Sequence, residues 1–250
     1  MIQRVTDKVF VVGMEGSANV VIISLPKGVI VVDTSLFPEK AQKIREFVES
    51  VLRKQILFVM NTHYHPDHTF GNVVFEDLQI ISSNLTNEKM RMMDEEYLKD
   101  LPSTSKIVPA STTFRDEYRE GPILLKRVGG HTPDSSVLIF EQEKVLIAGD
   151  LVFNEFHPEI VQDSDIVEWL EVLENFKKLK IEWVIPGHGN HSGKTCIDSM
   201  IKYLAKIQRL LDGTITYAEI LSDENFSKRK FPELFSWGLE NLTVHRAKLK

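Results

Sequence analysis

The sequence predicts an α/β chain made of two similar halves in one compact unit, and three observations carry that expectation. The first third is dense in β-branched residues and leads into an amphipathic helix and a short apolar strand. The same succession of strands, helix and strand returns between residues 123 and 187. No linker, low-complexity run or short-period repeat separates the two passages. Periodicity alone leaves an ordinary two-layer or doubly wound sheet open.

KVFVVGM (8–14), ANVVIISL (18–25) and VIVVD (29–33) read as strands, the last two joined by a turn at Pro26-Lys27-Gly28. A helix starts at Pro38, where proline suits a first turn. Ala41, Ile44, Phe47, Val48, Val51 and Leu52 give it one apolar face. ILFVM (56–60) is the next strand, and Asp67 opens a short helix after it. Between 74 and 120 the pattern is weak, apart from a helix predicted over 88–100 with Met90, Met93 and Tyr97 on one side. ILLKRV (123–128), SSVLIFE (135–141) and KVLIAG (144–149) resume the strands. Asp165 and Glu168 form a capping-box pattern ahead of a helix whose face is Ile166, Trp169, Leu170, Leu173 and Phe176. EWVIPG (182–187) is the last strand, and 195–211 and 231–247 read as helices.

A length of 250 residues supports a sizeable core, with 42% hydrophobic and 26% charged residues. The net charge of −6 argues against a general attraction for nucleic acid, and the basic run SKRKF (227–231) reads as a solvated face. The one cysteine, Cys196, excludes an internal disulfide framework. The N-terminus carries Arg4, Asp7 and Lys8 without a long apolar run, and no stretch reaches bilayer length. The expectation is a cytoplasmic protein without a membrane segment; oligomeric state is not legible.

NTHYHPDHTFGN (61–72) places three of the 8 histidines and an aspartate within six residues. On an extended segment His63 and His65 leave the same face and reach one ion. Asp67 and His68 follow the redirection at Pro66 and turn toward a second. Imidazole with carboxylate suits zinc, iron, manganese or nickel. GGHTPDS (129–135), LIAGD (146–150) and VIPGHGN (184–190) add His131, Asp150 and His188 at or beyond strand ends, where loops converge. Each of these alone also reads as a turn, cap or loop residue. Together, five histidines and two aspartates make a two-metal site, with Asp150 able to bridge.

HxHxDH at 63–68, GH at 130–131, AGD at 148–150, PGHG at 186–189 and VVDT at 31–34 resemble the metallo-β-lactamase fold superfamily over nearly the whole chain. The resemblance implies an α+β fold of four layers. This is an αβ/βα sandwich with two central mixed sheets, helices on both outer faces and a metal site at one sheet edge. It implies a single domain over residues 1–250, with 191–250 mainly helical. By the same resemblance His63, His65 and His131 hold the first metal, and Asp67, His68 and His188 the second. Asp150 bridges, and Asp33 is a supporting carboxylate. The implied cofactor is two divalent ions, zinc by default.

Two ions sharing a hydroxide imply attack on a carbonyl or phosphoryl centre, with Asp67 orienting the nucleophile or moving its proton. Asp150 stands where one class of zinc β-lactamases has cysteine, which disfavours that class. Flavodiiron proteins usually carry glutamate where His65 stands. Asp134 and Ser135 replace the glycine and histidine common in glyoxalase II-like enzymes, which counts against a glutathione thioester. The expected substrate is therefore a small carboxylic ester, lactone or thioester. Phosphodiester cleavage, iron-dependent sulfur dioxygenation and a non-enzymatic metal-binding role are the alternatives. The expected pocket is walled by Tyr64, Phe70, Phe153, Phe156 and His157, with Tyr64 also fitting a packing role beneath the loop.

Overall fold

The computed structural model describes residues 2–14, 17–94, 98–99 and 106–248. Strands β1 (Ile2–Arg4), β2 (Val9–Met14), β3 (Ser17–Leu25), β4 (Gly28–Val32), β5 (Ile56–Met60), β6 (Ile80–Ser83) and β7 (Thr112–Phe114) form a seven-stranded sheet in that order. Strands β8 (Glu117–Glu120), β9 (Ile123–Arg127), β10 (Ser136–Phe140), β11 (Val145–Phe153) and β12 (Trp183–His188) form a five-stranded sheet in sequence order. Both sheets are mixed. β2, β3 and β4 pair antiparallel and β4 with β5 parallel; β9, β10 and β11 pair antiparallel and β11 with β12 parallel.

Each parallel pair needs a crossover longer than a hairpin. α1 (Pro38–Glu46), extended by a π-helical turn over Phe47–Val51, supplies it between β4 and β5; β5–β6 and β6–β7 of the same sheet are parallel as well. α4 (Ile166–Lys177) supplies it in the second half. The shorter helices α2 (Pro66–Thr69) and α3 (Asn84–Met92) belong to the first half. α5 (Thr195–Leu211), α6 (Tyr217–Leu221), α7 (Glu224–Ser227) and α8 (Pro232–Lys248) follow the last strand.

Period-two alternation sets the layers. In β4, Ile30 and Val32 face the space between the sheets, where they meet Leu125, Leu138 and Ile147 of the second sheet. Val29 and Val31 face the other way, onto Ala41, Ile44 and Val48 of the first crossover helix. In the second half, Leu146 and Ala148 lie in the cluster with Trp169, Leu173 and Phe176 of α4 and with Ile197, Met200 and Leu204 of α5. Strands buried on both faces read as near-continuous apolar runs, which is how β4 and β11 look in the sequence. The result is the expected four-layer αβ/βα sandwich.

Three local expectations change. β11 continues to Phe153, so Asp150 stands inside a strand rather than at its end. The helix expected over 88–100 is α3 (Asn84–Met92), shifted because the Ser83 hydroxyl caps it by accepting from the Thr86 amide. Tyr97 lies outside the described residues. Asp165 caps α4 as expected, accepting from Val167 and Glu168 amides at 2.9 and 3.0 Å. The Glu168 carboxylate does not close the box; it accepts from the Gly130 amide at 2.9 Å and so fixes the turn before His131.

Candidate metal centre

The seven residues expected as ligands come together from five places in the chain. His63 and His65 lie in the segment between β5 and α2, and Asp67 and His68 lie in the single turn of α2. His131 follows β9, Asp150 belongs to β11 and His188 ends β12. They form two groups: His63, His65, His131 and Asp150, and Asp67, His68 and His188, each with donor atoms within 4.8 Å of one another.

Asp150 faces both groups with different oxygens. Its Oδ2 is 3.8 Å from His63 Nε2 and 3.7 Å from His131 Nε2. Its Oδ1 is 3.0 Å from His68 Nε2 and 3.5 Å from His188 Nε2. His131 Nε2 and His65 Nδ1 are 3.2 Å apart, and His188 Nε2 is 3.1 Å from Asp67 Oδ2. Two glycines make this approach possible. A Cβ at Gly187 would collide with Asp150 Oδ1, and Gly149 takes a left-handed φ of 53° against Thr62. The short motifs AGD and PGHG therefore have a steric reason.

Around the ligands stands a ring of supporting bonds. Asp33 accepts from the Thr62 amide and hydroxyl, each at 2.8 Å, and its Oδ2 is 2.8 Å from His68 Nδ1. It reaches that position with φ at 60°, which aspartate tolerates better than most residues. Asp134 accepts from the Tyr64 amide at 2.9 Å and from the Thr86 hydroxyl at 3.0 Å. That locks the peptide between His63 and His65. Ser164 donates to the His131 carbonyl at 2.7 Å, and Asn19 donates to the carbonyls of Pro186 and Gly189 at 2.9 and 2.8 Å on either side of His188.

Ligand-supporting roles for Thr62, Asp134, Ser164 and Asn19 escaped the sequence reading. Their partners lie in other segments, and a Pro-Asp pair in a turn gives no sign that the carboxylate is buried.

Electrostatics separates the two groups. Burial, together with His68 and His65 nearby, holds His63 well below the ordinary histidine range. Burial likewise lowers His65 and brings His131 down to about 3. In the other group burial is outweighed. Asp150 and Asp67 lift His188 to about 10, and Asp150, Asp33 and Asp67 lift His68 well above its usual value. Burial alone would raise Asp67, but His68 and His188 bring it down to about 2. The first group thus offers neutral imidazoles and the second a tight charge-paired set.

Whether the donors suit cations is settled by what they lack. His63 Nε2, His68 Nε2, His188 Nε2 and both Asp150 oxygens are buried and, though His68 Nε2 and His188 Nε2 approach carboxylate oxygens at 3.0 and 3.1 Å, make no well-angled hydrogen bond among the described residues. Buried polar atoms are rarely left so. Nitrogen and carboxylate donors converging without a thiolate fit zinc and its first-row neighbours.

The groups open onto a cleft of about 920 Å³ lined by Tyr64, His65, Asp67, Phe156, Glu159 and His188, among others. This corrects the expected pocket wall. Phe156 and Tyr64 line it, but Phe153 is buried and stacks on His188 with centroids 5.2 Å apart. His157 is also buried, with Nδ1 2.8 Å from the Tyr203 hydroxyl and its ring among Phe226 and Phe235. Phe70 is wholly buried. Strand β11 continues past Asp150 and turns Phe153 inward. Glu159, absent from the expected list, lines the cleft instead; burial and the charges of Asp67 and Asp150 raise its carboxyl to about 7.

Comparison with known proteins bears on the family and the fold. The metallo-beta-lactamase type 2 of Bacillus sp. (strain 170) is 28% identical over 184 residues, covering 71% of this chain and 68% of the relative. Among solved structures, the metallo-beta-lactamase from Pontibacter korlensis superposes with a TM-score of 0.67 at 21% identity, over 82% of this chain and 98% of its own. The metallo-beta-lactamase FIM-1 from Pseudomonas aeruginosa, in a mono-zinc form, gives 0.68 at 19% identity, over 82% and 95%. The pattern of the metallo-beta-lactamase superfamily matches residues 13–188, a span that runs from the end of β2 to the end of β12 and holds all seven clustered residues, and the chain belongs to that superfamily.

Proposed function

We propose that this chain is a dinuclear zinc hydrolase that cleaves a small carboxylic ester, lactone or thioester. The observation that carries the reading is the orientation of Asp150, whose two oxygens face two separate ligand groups. Seven donors exceed what one four-coordinate ion uses. His63, His65 and His131 would hold one ion, Asp67, His68 and His188 the other, with Asp150 between them. Bound cations of this kind supply an acidified water and polarise the bond that is cut.

The chain's own residues set up the rest. Asp67 is both clustered with His188 and part of the cleft lining, so it is placed to orient the attacking water and take its proton. Asp33 holds the His68 ring by its far nitrogen. Tyr64 and Phe156 flank the cleft and exclude water from the acyl group.

The similarity to proteins named metallo-beta-lactamases makes β-lactam hydrolysis the second reading. The deciding experiment uses metal-reconstituted protein on a panel of p-nitrophenyl esters, lactones, glutathione thioesters, β-lactams and bis-p-nitrophenyl phosphate, repeated with iron and a persulfide. Acyl turnover that needs about two zinc ions per chain supports the proposal. Phosphodiester turnover above every acyl substrate, or oxygen uptake only with iron and persulfide, overturns it.

A further inference from the structure

The superfamily pattern ends at residue 188, yet one wall of the cleft comes from beyond it. Phe231, Leu234, Trp237 and Asn241 line the cleft, the last three at helical spacing on α8. Phe231 stacks on Phe156 with ring centroids 5.5 Å apart, so the loop after β11 and the start of α8 make one apolar surface. The Asn241 amide donates to the Ile160 carbonyl at 2.8 Å, and a Cβ at Gly238 would lie 3.1 Å from Ile160 Cβ. These contacts clamp α8 onto the segment that carries Glu159. Trp237 and Phe231 stay 40% and 37% exposed, more than an ordinary packing role leaves such rings.

The cleft lining carries three carboxylates. Among the described residues the lining includes Asp67, Glu159 and Asp163 but neither lysine nor arginine. The nearby lysines are held by other lining residues: Lys89 pairs with Asp163 at 2.5 Å and lies over the Tyr64 ring, and Lys230 lies over the Phe156 ring. Among the lining carboxylates, Glu159 alone has neither a hydrogen bond nor an ion pair among the described residues. A carboxylate at the end of an acyl chain lying along this wall would meet Glu159, which no lysine or arginine pairs among the described residues.

We propose that Glu159 and the Phe156–Phe231–Leu234–Trp237 wall select an uncharged acyl chain and reject one that ends in a carboxylate. The inference rests on the acyl-hydrolase reading above and names its substrate class. Glu159 acts by repulsion, and the aromatic wall by covering the chain's methylene groups.

The test compares p-nitrophenyl octanoate with mono-p-nitrophenyl suberate on zinc-loaded protein, two esters of equal chain length that differ in the terminal carboxylate. The octanoate should be preferred at least tenfold in kcat/KM. Glu159→Lys should shrink that ratio to threefold or less by raising suberate turnover, a gain that a misfolded variant does not give. Glu159→Gln should fall between. Trp237→Ala should lower the octanoate-to-acetate ratio in kcat/KM about tenfold. A wild-type ratio within threefold, or a ratio unmoved by both Glu159 variants, overturns the inference while acyl hydrolysis stands. If no ester is turned over, octanamide binding by calorimetry decides it. Binding weakened fivefold or more by Trp237→Ala, and by a terminal carboxylate, upholds the wall's role although the hydrolase reading has failed. No such binding overturns both.

Discussion

The Asp33 carboxylate stands 2.8 Å from Nδ1 of His68 and accepts the amide and hydroxyl of Thr62 besides. It touches a clustered imidazole from behind, whereas Asp150 faces both ligand groups from within. Asp33→Ala should therefore cost about 10–100-fold in metal affinity or activity, the usual effect of removing such support. Asp150→Ala should cost more and reduce bound metal at both positions. Metal titration and kinetics at saturating zinc check this, and equal losses would mean that the roles are misassigned.

Phe153 and Phe156 follow Asp150 closely but do different things. Phe153 is buried against His188, so Phe153→Ala should lower unfolding free energy by about 3–5 kcal/mol. Phe156 lines the cleft, and Phe156→Ala should raise KM with a much smaller change in melting temperature. Denaturant unfolding and substrate saturation curves separate the two. A stability loss at Phe156 as large as that at Phe153 would remove it from the cleft wall.

His157 gives a pH dependence that is independent of metal ligation. Burial, with Arg229 nearby, lowers its folded pKa to about 4 from 6.5. The folded state therefore holds the neutral ring and binds fewer protons than the unfolded chain. Its contribution to stability is present above about pH 6.5 and is lost as pH falls toward 4. His157→Asn should flatten the fall in melting temperature across that window relative to the parent. A variant that keeps the parent's slope would exclude His157 as its source.

Asp134 is expected to matter through the backbone it holds. Asp134→Ala removes one acceptor from the Tyr64 amide and one from the Thr86 hydroxyl, which keeps the Ser83 hydroxyl at 2.8 Å, a loss of about 1–3 kcal/mol in all. Metal affinity at the His63–His65–His131 group should weaken with it, as seen by competition with a chromophoric chelator. Asp134→Asn, which keeps one oxygen, should retain most of both properties.

The ligands were legible because their chemistry is unusual in a row: HYHPDH has no ordinary packing rationale, and the other three sit in short glycine-bearing motifs next to apolar strands. The layers were legible because β4 and β11 are apolar on both faces and α4 on one. What escaped depends on contacts between distant segments. Glu159 lies in an irregular stretch with no period, and only the docking of α8 through Asn241 makes it part of a wall. β6 to β8 are short and half polar, so alternation alone did not reveal them. The turn of Phe153 inward follows from the continuation of β11 past Gly149, where its register with β12 shifts.

The clustered residues are shared between the halves, with His63, His65, Asp67 and His68 from the first and His131, Asp150 and His188 from the second. Cations held there would cross-link the chain across loops on the order of 100 residues, the span over which a covalent link constrains an unfolded chain most. With Cys196 as the one cysteine, no disulfide can serve that purpose. Loading and folding would then be linked equilibria, so that metal supply governs how long the chain survives proteolysis as well as how fast it turns over.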